Sequence, residues 1–205
     1  MKTFQEFIGI NESRIKVIIN KDLSVDVLGG VNIVNRGLVN KLPVKFNIIK
    51  GEFYCNKNSL TSLEGAPKSV VGTFDCNSND LTSLEGAPKD VGGTFDCSNN
   101  KLTSLEYSPK SVGNSFFCSY NELTSLEYSP KSVVGGFSCS SNKLTSLKGA
   151  PKSVGGNFSC ASSQLTSLQG APKSVGDDFV CYGNPTEFTK EDVLKVSKVS
   201  GDIRV

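Results

Sequence analysis

Two hydrophobic periods are superimposed along this chain. The shorter is the two-residue alternation of a strand. Phe74, Asp75 and Cys76 read apolar, polar, apolar, as do Phe95, Asp96 and Cys97, so the apolar pair shares one face and the acid takes the other. The longer period returns the whole pattern every 21 residues. Cys55, Cys76, Cys97, Cys118, Cys139, Cys160 and Cys181 mark it, and the stretch L-T-S-L begins at Leu60, Leu81, Leu102, Leu123, Leu144 and Leu165. The unit reads F-x-C-x-x-N-x-L-T-S-L-E-G-A-P-K-S-V-G-G. A fixed period of this length predicts a repeat solenoid, because one unit cannot bury its own apolar face and must stack on its neighbours. Parallel strands ~4.8 Å apart then bring like residues into inward ladders of Phe, Cys and Leu. A further ladder of Asn58, Asn79, Asn100, Asn121 and Asn142 can satisfy turn backbone in neighbouring coils; Ser163 interrupts it.

The other half of each unit is too short and too broken for a helix. Gly65 and Pro67 follow Leu63 closely, and a proline biases the residue before it toward extended geometry. Extended, polyproline-like or short 3-10 segments are predicted there. The ends read as caps. Ile15, Val17 and Ile19, then Leu23, Val25 and Val27, alternate as a hairpin around Asn20-Lys21-Asp22. Leu28, Val31, Ile33 and Leu38 sketch a degenerate first repeat. Thr189 and Asp192 form a capping box, flanked by Phe188 and Val193 at staple positions. They predict a short helix from about Lys190 to Lys198, ended by Gly201, with a last strand in Asp202 to Val205. The chain divides into 1–12, 13–50 (hairpin cap and degenerate repeat), 51–186 (repeats) and 187–205 (C-terminal cap).

The unit resembles the leucine-rich repeat, L-x-x-L-x-L-x-x-N-x-L, over about residues 28 to 186. Val71, Phe74, Cys76, Asn79 and Leu81 fall on that template, as do Val134, Phe137, Cys139, Asn142 and Leu144. At Val91-Gly92-Gly93 the first apolar position slips by one. The resemblance implies parallel strands on a concave face, an extended or 3-10 convex side, and a role in binding other proteins.

Composition narrows the chemistry. Hydrophobic residues make up 37% of the chain and the formal net charge is +2. That supports a buried core and argues against a general nucleic-acid binder. No apolar run approaches the ~20 residues a membrane span needs. The absence of histidine removes the commonest general base and zinc ligand. The evenly spaced cysteines, seven in all, read as a buried hydrophobic stripe rather than a metal or redox site. The serines recur with the period, as scaffold residues do, and the Gly-Gly pairs lack the Lys-Ser/Thr of a phosphate loop. No catalytic constellation, metal site or cofactor site is predicted, and the chain reads as a non-enzyme.

The first twelve residues stand apart from the repeats. Phe4, Phe7 and Ile8 share one helical face. Met-Lys-Thr-Phe-Gln-Glu-Phe-Ile is similar to the capsid-targeting propeptide of internal head proteins in T-even bacteriophages, which carries tyrosine where this chain has Phe4. That resemblance implies packaging into the prohead and cleavage by the prohead protease after a glutamate in an Ile/Leu-x-Glu context. Ile10-Asn11-Glu12 matches, so the implied cut lies between Glu12 and Ser13. It further implies a place in the virion head interior, then the host cytoplasm, with a host protein, such as one of its defence machinery, as partner. An unprocessed cytosolic interaction module and a structural virion accessory are the alternatives.

The candidate binding face consists of the outward strand residues. Most are small and polar; Phe117 and Tyr120 are not, and Tyr107 and Tyr128 replace glycine on the opposite edge. Aromatic residues amid polar ones are interface anchors. Asp75 and Asp96 add an acidic, cation-seeking patch. On the convex edge run Lys68, Lys89, Lys110, Lys131, Lys152 and Lys173 beside Glu64, Glu85, Glu106 and Glu127. The two ladders offset one another until the acids give way to Lys148 and Gln169, which leaves the C-terminal edge basic.

Overall fold

The computed structural model describes residues 16–205. Ile10, Glu12 and Ser13, the implied cleavage site, and Ile15 of the expected hairpin lie outside the described residues. The rest winds into a parallel β-solenoid of nine turns. Its widest sheet takes one two-residue strand per turn in sequence order: Val31–Asn32, Phe53–Tyr54, Phe74–Asp75, Phe95–Asp96, Phe116–Phe117, Phe137–Ser138, Phe158–Ser159, Phe179–Val180 and Ile203–Arg204. Every neighbouring pair is parallel and registered like on like, Phe74 opposite Phe95 and Phe95 opposite Phe116. The first residue of each strand points inward. Successive Phe rings from Phe53 to Phe158 stack with centroids 5.3–5.8 Å apart. Every Phe, Cys and Leu of the three inward ladders is buried. Burial of one such side chain is worth ~1.5–3 kcal/mol, but only while the next turn covers it.

The first apolar position differs from the expected template. Val70 and Val133 are buried, whereas Val71 and Val134 are 57% and 74% exposed. The inward residue lies four positions before each strand phenylalanine, not three. This spacing holds in every turn: Val27, Ile49, Val70, Val91, Val112, Val133, Val154, Val175 and Val199 each precede an inward Val, Phe or Ile by four. There is therefore no slip at Val91. Register explains it, because the Ser-Val pairs form their own parallel ladder, Val70 opposite Val91 and Val91 opposite Val112. This departs from the leucine-rich template.

Between these ladders the chain turns sharply. The Ala66 N–H donates to Leu63 O at 2.9 Å with Gly65 at φ +91°, the form of a type II turn, which needs a left-handed third residue. Pro67 follows, buried, and leads into the Lys-Ser-Val segment. The extended alternative holds for the convex side; among the described residues there is no 3-10 helix.

The asparagine ladder ties the turns together. Asn121 accepts from Leu102 N–H at 3.0 Å and donates to the carbonyls of Cys97, Cys118 and Ser119 at 3.1–3.2 Å. Asn184 completes the ladder, accepting from Leu165 N–H. Ser163 is too short to repeat the pattern; its Oγ accepts only a long bond from Asn142 N–H, 3.4 Å. The thiols contribute similarly. Cys76, Cys97, Cys118 and Cys139 each donate to a carbonyl of the following turn at 3.4 Å.

Both caps form, with local corrections. β1 (Val17–Ile19) and β2 (Val25–Val27) pair antiparallel. Leu23 is not a strand residue: it lies in the turn at φ +61°, 78% exposed. Leu28 is exposed too, since Val27 and Val31 take the inward sites of the first turn. At the other end α1 (Lys190–Val196) has the full Thr189/Asp192 capping box and buries Val193. It stops two residues short of Lys198 because Lys198–Val199 joins the Ser174–Val175 ladder. Ile203–Arg204 then closes the wide sheet.

Candidate binding face

The outward residues of the wide sheet form one continuous column. Tyr54, Asp75, Asp96, Phe117, Ser138, Ser159 and Val180 are registered neighbour to neighbour. The structure therefore brings Asp75, Asp96 and Phe117 together on consecutive strands. The flanking columns are more covered than alternation implies. Asn56, Ser115, Ser119 and Ala161 are buried, because neighbouring turns reach across them. Ser119 Oγ lies 2.7 Å from Ser138 Oγ, and Ser115 Oγ accepts from Gly136 N–H at 3.0 Å.

Phe117 is half-buried. Its ring leans over Gly136 of the next turn, where a Cβ would lie 3.7 Å from the ring edge. Gly136 stands in a column otherwise held by Glu52, Thr73, Thr94, Ser115, Asn157 and Asp178. The large residue at 117 is thus matched by the smallest one beside it, a pairing legible in the sequence only once the register is known.

Asp75 and Asp96 serve the turns as well as the surface. Each accepts from a backbone N–H two residues on, Asn77 and Ser98 respectively, at 2.9 Å. Asn77 Nδ2 also donates to Asp96 at 3.3 Å. Burial raises the Asp75 carboxyl to about 6; the bond from Asn77 opposes this and the charge of Asp96 adds to it.

The tyrosines occupy backbone that side chains avoid. Tyr107, Tyr120 and Tyr128 have φ +68°, +54° and +72°, the left-handed region. All three are more than half exposed. Tyr120 closes the turn that carries Phe117, at a site where other turns place Lys57, Ser78, Asn99, Ser141 and Ser162, all with positive φ. Tyr107 and Tyr128 fill the glycine site of the type II turn, away from Phe117. There a Cβ added at Gly149 would lie 2.4 Å from backbone of the preceding turn. The aromatic residues therefore form two groups at the same level of the solenoid, Phe117 with Tyr120, and Tyr107 with Tyr128.

These tyrosine turns differ in a second way. Ser108 and Ser129 replace the alanine after the tyrosine, and their hydroxyls donate to Tyr128 O and Gly149 O at 2.7 Å. Between the two tyrosine turns the Ser-Val ladder is interrupted: Ser111–Val112 ends one sheet and Ser132–Val133 begins another. Lysine N–H to lysine C=O bonds of 2.8–3.0 Å link Lys89 to Lys68, Lys110 to Lys89, Lys152 to Lys131 and Lys173 to Lys152, but not Lys131 to Lys110. The seam lies where the two tyrosine turns meet; the Tyr107 turn keeps the ladder to the glycine turn before it, Lys110 N–H to Lys89 O at 3.0 Å. Sequence reading singled out the tyrosines but not the serines or the seam; the paired change of G-A-P to Y-S-P was the available signal.

No protein-family model matches the chain, and no curated protein matches it.

The seven thiols are free and buried. Burial raises each above the ordinary thiol range, Cys181 to about 11 and Cys76, Cys97, Cys118 and Cys160 well above. A buried, protonated thiol is neither a nucleophile nor a metal ligand. Among the described residues no three His, Cys, Asp or Glu side chains converge as a metal site would require, and no helix is long and apolar enough to cross a membrane.

Proposed function

We propose that this chain is a non-enzymatic repeat protein that binds another protein through the central aromatic residues. One observation carries the reading. Exposed tyrosines sit in consecutive central turns on left-handed backbone, Tyr107 and Tyr128 at a site other turns give to glycine and Tyr120 at one other turns give to Lys57, Ser78, Asn99, Ser141 and Ser162. Such backbone costs an L residue about 1–2 kcal/mol, and strain of this kind concentrates at functional positions. Aromatic side chains supply much contact area for little entropy. Phe117 and Tyr120 are the principal anchors, with Asp75 and Asp96 as a charged rim beside them.

The N-terminal resemblance supplies the setting. In this reading the chain is an internal head protein of a bacteriophage: packaged, cut by the prohead protease between Glu12 and Ser13, delivered with the genome, and used to bind a host protein. The solenoid begins after the cut, so removal of the leader leaves every described turn intact. Peptide mass spectrometry of purified virions tests the setting. A chain beginning at Ser13 supports it; absence from virions removes it and leaves the binding role on its own. With a partner in hand, Phe117→Ala and Tyr120→Ala are each expected to weaken binding at least tenfold, and unchanged affinity in both removes the anchor assignment.

A further inference from the structure

The net charge of +2 conceals a polarised edge. The first four complete turns each set one glutamate, Glu64, Glu85, Glu106 or Glu127, against one lysine of the ladder, and the second adds Asp90. In the next two turns Lys148 and Gln169 hold the glutamate site while Lys152 and Lys173 continue the lysine column. Lys198, paired in register with Ser174, extends the edge into the cap.

The structure also alters the expected cancellation. Among the described residues none of the six ladder lysines takes part in an ion pair; Glu64 pairs with Lys41, and Glu127 with Lys148 at 3.9 Å. Lysines elsewhere on the surface, Lys101 and Lys143 among them, are paired at 2.7 and 2.9 Å. The ladder lysines are exposed and set at the rung spacing of ~4.8 Å. Like charges this close repel by roughly 0.8 kcal/mol in water, so the row holds unneutralised positive potential in a line.

The shape of the row selects the ligand. An acidic protein surface does not offer negative charge at fixed close intervals, and a membrane offers it in a plane. A single nucleic-acid strand carries one phosphate per nucleotide along a flexible chain, so the lysines of a ~4.8 Å row meet successive phosphates without needing a particular register. At the N-terminal border of the row, Tyr107 lines a groove of about 410 Å³ with Lys68, Lys89 and Lys110, and Tyr128 occupies the same site one turn on. An exposed ring beside lysines is a stacking platform for an unpaired base.

We propose that the edge from Tyr128 to Lys198 binds single-stranded nucleic acid without reading its sequence, with Lys131, Lys148, Lys152 and Lys173 contacting phosphates. This inference does not depend on the protein-binding reading, whose principal anchors are Phe117 and Tyr120.

The test is fluorescence anisotropy of a labelled mixed-sequence DNA strand of about 20 nucleotides with the full-length protein. Four phosphate contacts are expected to make log K fall with log salt at a slope of about −3. The double variant Lys148→Glu, Lys173→Glu is expected to bind at least tenfold more weakly, whereas Lys101→Glu with Lys143→Glu, exposed lysines outside the ladder, keeps wild-type affinity. Both pairs are exposed, and unchanged melting temperatures would show that the fold survives. Lys148→Gln with Lys173→Gln is expected to give an intermediate loss. Absence of binding at low salt overturns the proposal. So does equal loss in both charge-reversal variants, or equal affinity for polyglutamate or for anionic vesicles. Tighter binding of duplex than of single strand overturns the role given to the tyrosine.

Discussion

The outer turns and the two central tyrosine turns are built from nearly the same unit, yet they behave differently. The rings of Phe53, Phe74 and Phe95 stack within 6–8° of parallel, and those of Phe116, Phe137 and Phe158 within 9–11°. In the outer turns Gly65, Gly86, Gly149 and Gly170 fill the left-handed site of the type II turn, and the Ser-Val ladder runs unbroken on either side of the seam. Between Tyr107 and Tyr128 the ladder parts, and Phe117 stands among small polar residues. A solenoid's stability is close to a sum of turn and interface terms, so one weakened seam is tolerated where its neighbours are regular. Regular turns supply that stability, and the places where the period fails carry the information specific to this molecule.

The largest test asks whether the regular bonds hold the irregular region. Asn121 lies within it and makes four buried hydrogen bonds. Asn121→Ala leaves their backbone partners unsatisfied at ~1–3 kcal/mol for a buried group, so a loss of about 3 kcal/mol is expected in urea denaturation. A loss below about 1 kcal/mol would show that the central turns do not depend on the ladder.

Next in size is the strain itself. Tyr128→Gly restores the residue of the regular turns and removes the left-handed penalty of about 1–2 kcal/mol, partly offset by the entropy glycine loses on folding. The expected result is a net gain of about 1 kcal/mol by the same denaturation, together with loss of whatever Tyr128 contacts. A variant less stable than wild type would mean that the tyrosine is packing residue rather than strained anchor, and the contrast between the regions would collapse.

Much of this was legible in the sequence, and the failures have physical causes. Period and alternation located every strand of the wide sheet and the inward Phe, Cys, Leu and Asn ladders, because identical units must stack in register. The same reading chose Val71 and Val134 over Val70 and Val133. Two adjacent valines cannot be told apart without the ladder that pairs one with Val91 and the other not. Leu23 was assigned inward by alternation, which fails inside a turn. For the candidate site, the aromatic exceptions were visible as departures from a column. Their division into two groups was not, since it depends on where each turn lies around the solenoid. The pairing of Phe117 with Gly136 lies across two turns and needs the register.

A smaller test extends the comparison to the second defect, Ser163. Asn at this position would face Leu144 N–H and the carbonyls of Cys139 and Cys160, the partners its neighbours use. Ser163→Asn is expected to raise stability by about 1 kcal/mol, the net worth of a made hydrogen bond. No gain would mean that the Ser163 turn has relaxed to satisfy those groups itself, making it a third kind of region rather than a gap in the regular one.

The smallest effect separates the acidic rim from the scaffold. The Asp75 carboxyl is raised to about 6, chiefly by burial, with Asp96 and Lys57 as the nearby charges. Its unfolded value is about 3.9. The folded state therefore binds the proton more tightly between these values, and stability falls as pH rises from about 4 to about 6. Depressed carboxylates such as Asp192, held at about 2 by bonds from Lys195 and Thr189, act in the opposite sense and below that window. Asp75→Asn keeps an oxygen to accept from Asn77 N–H and removes the charge. It should abolish the slope between pH 4 and 6 and stabilise the protein at pH 7 while leaving it unchanged near pH 4. Melting temperatures across that range decide it. If wild type and variant run parallel, Asp75 titrates as a solvated surface group, and the rim belongs with the regular turns rather than with the centre.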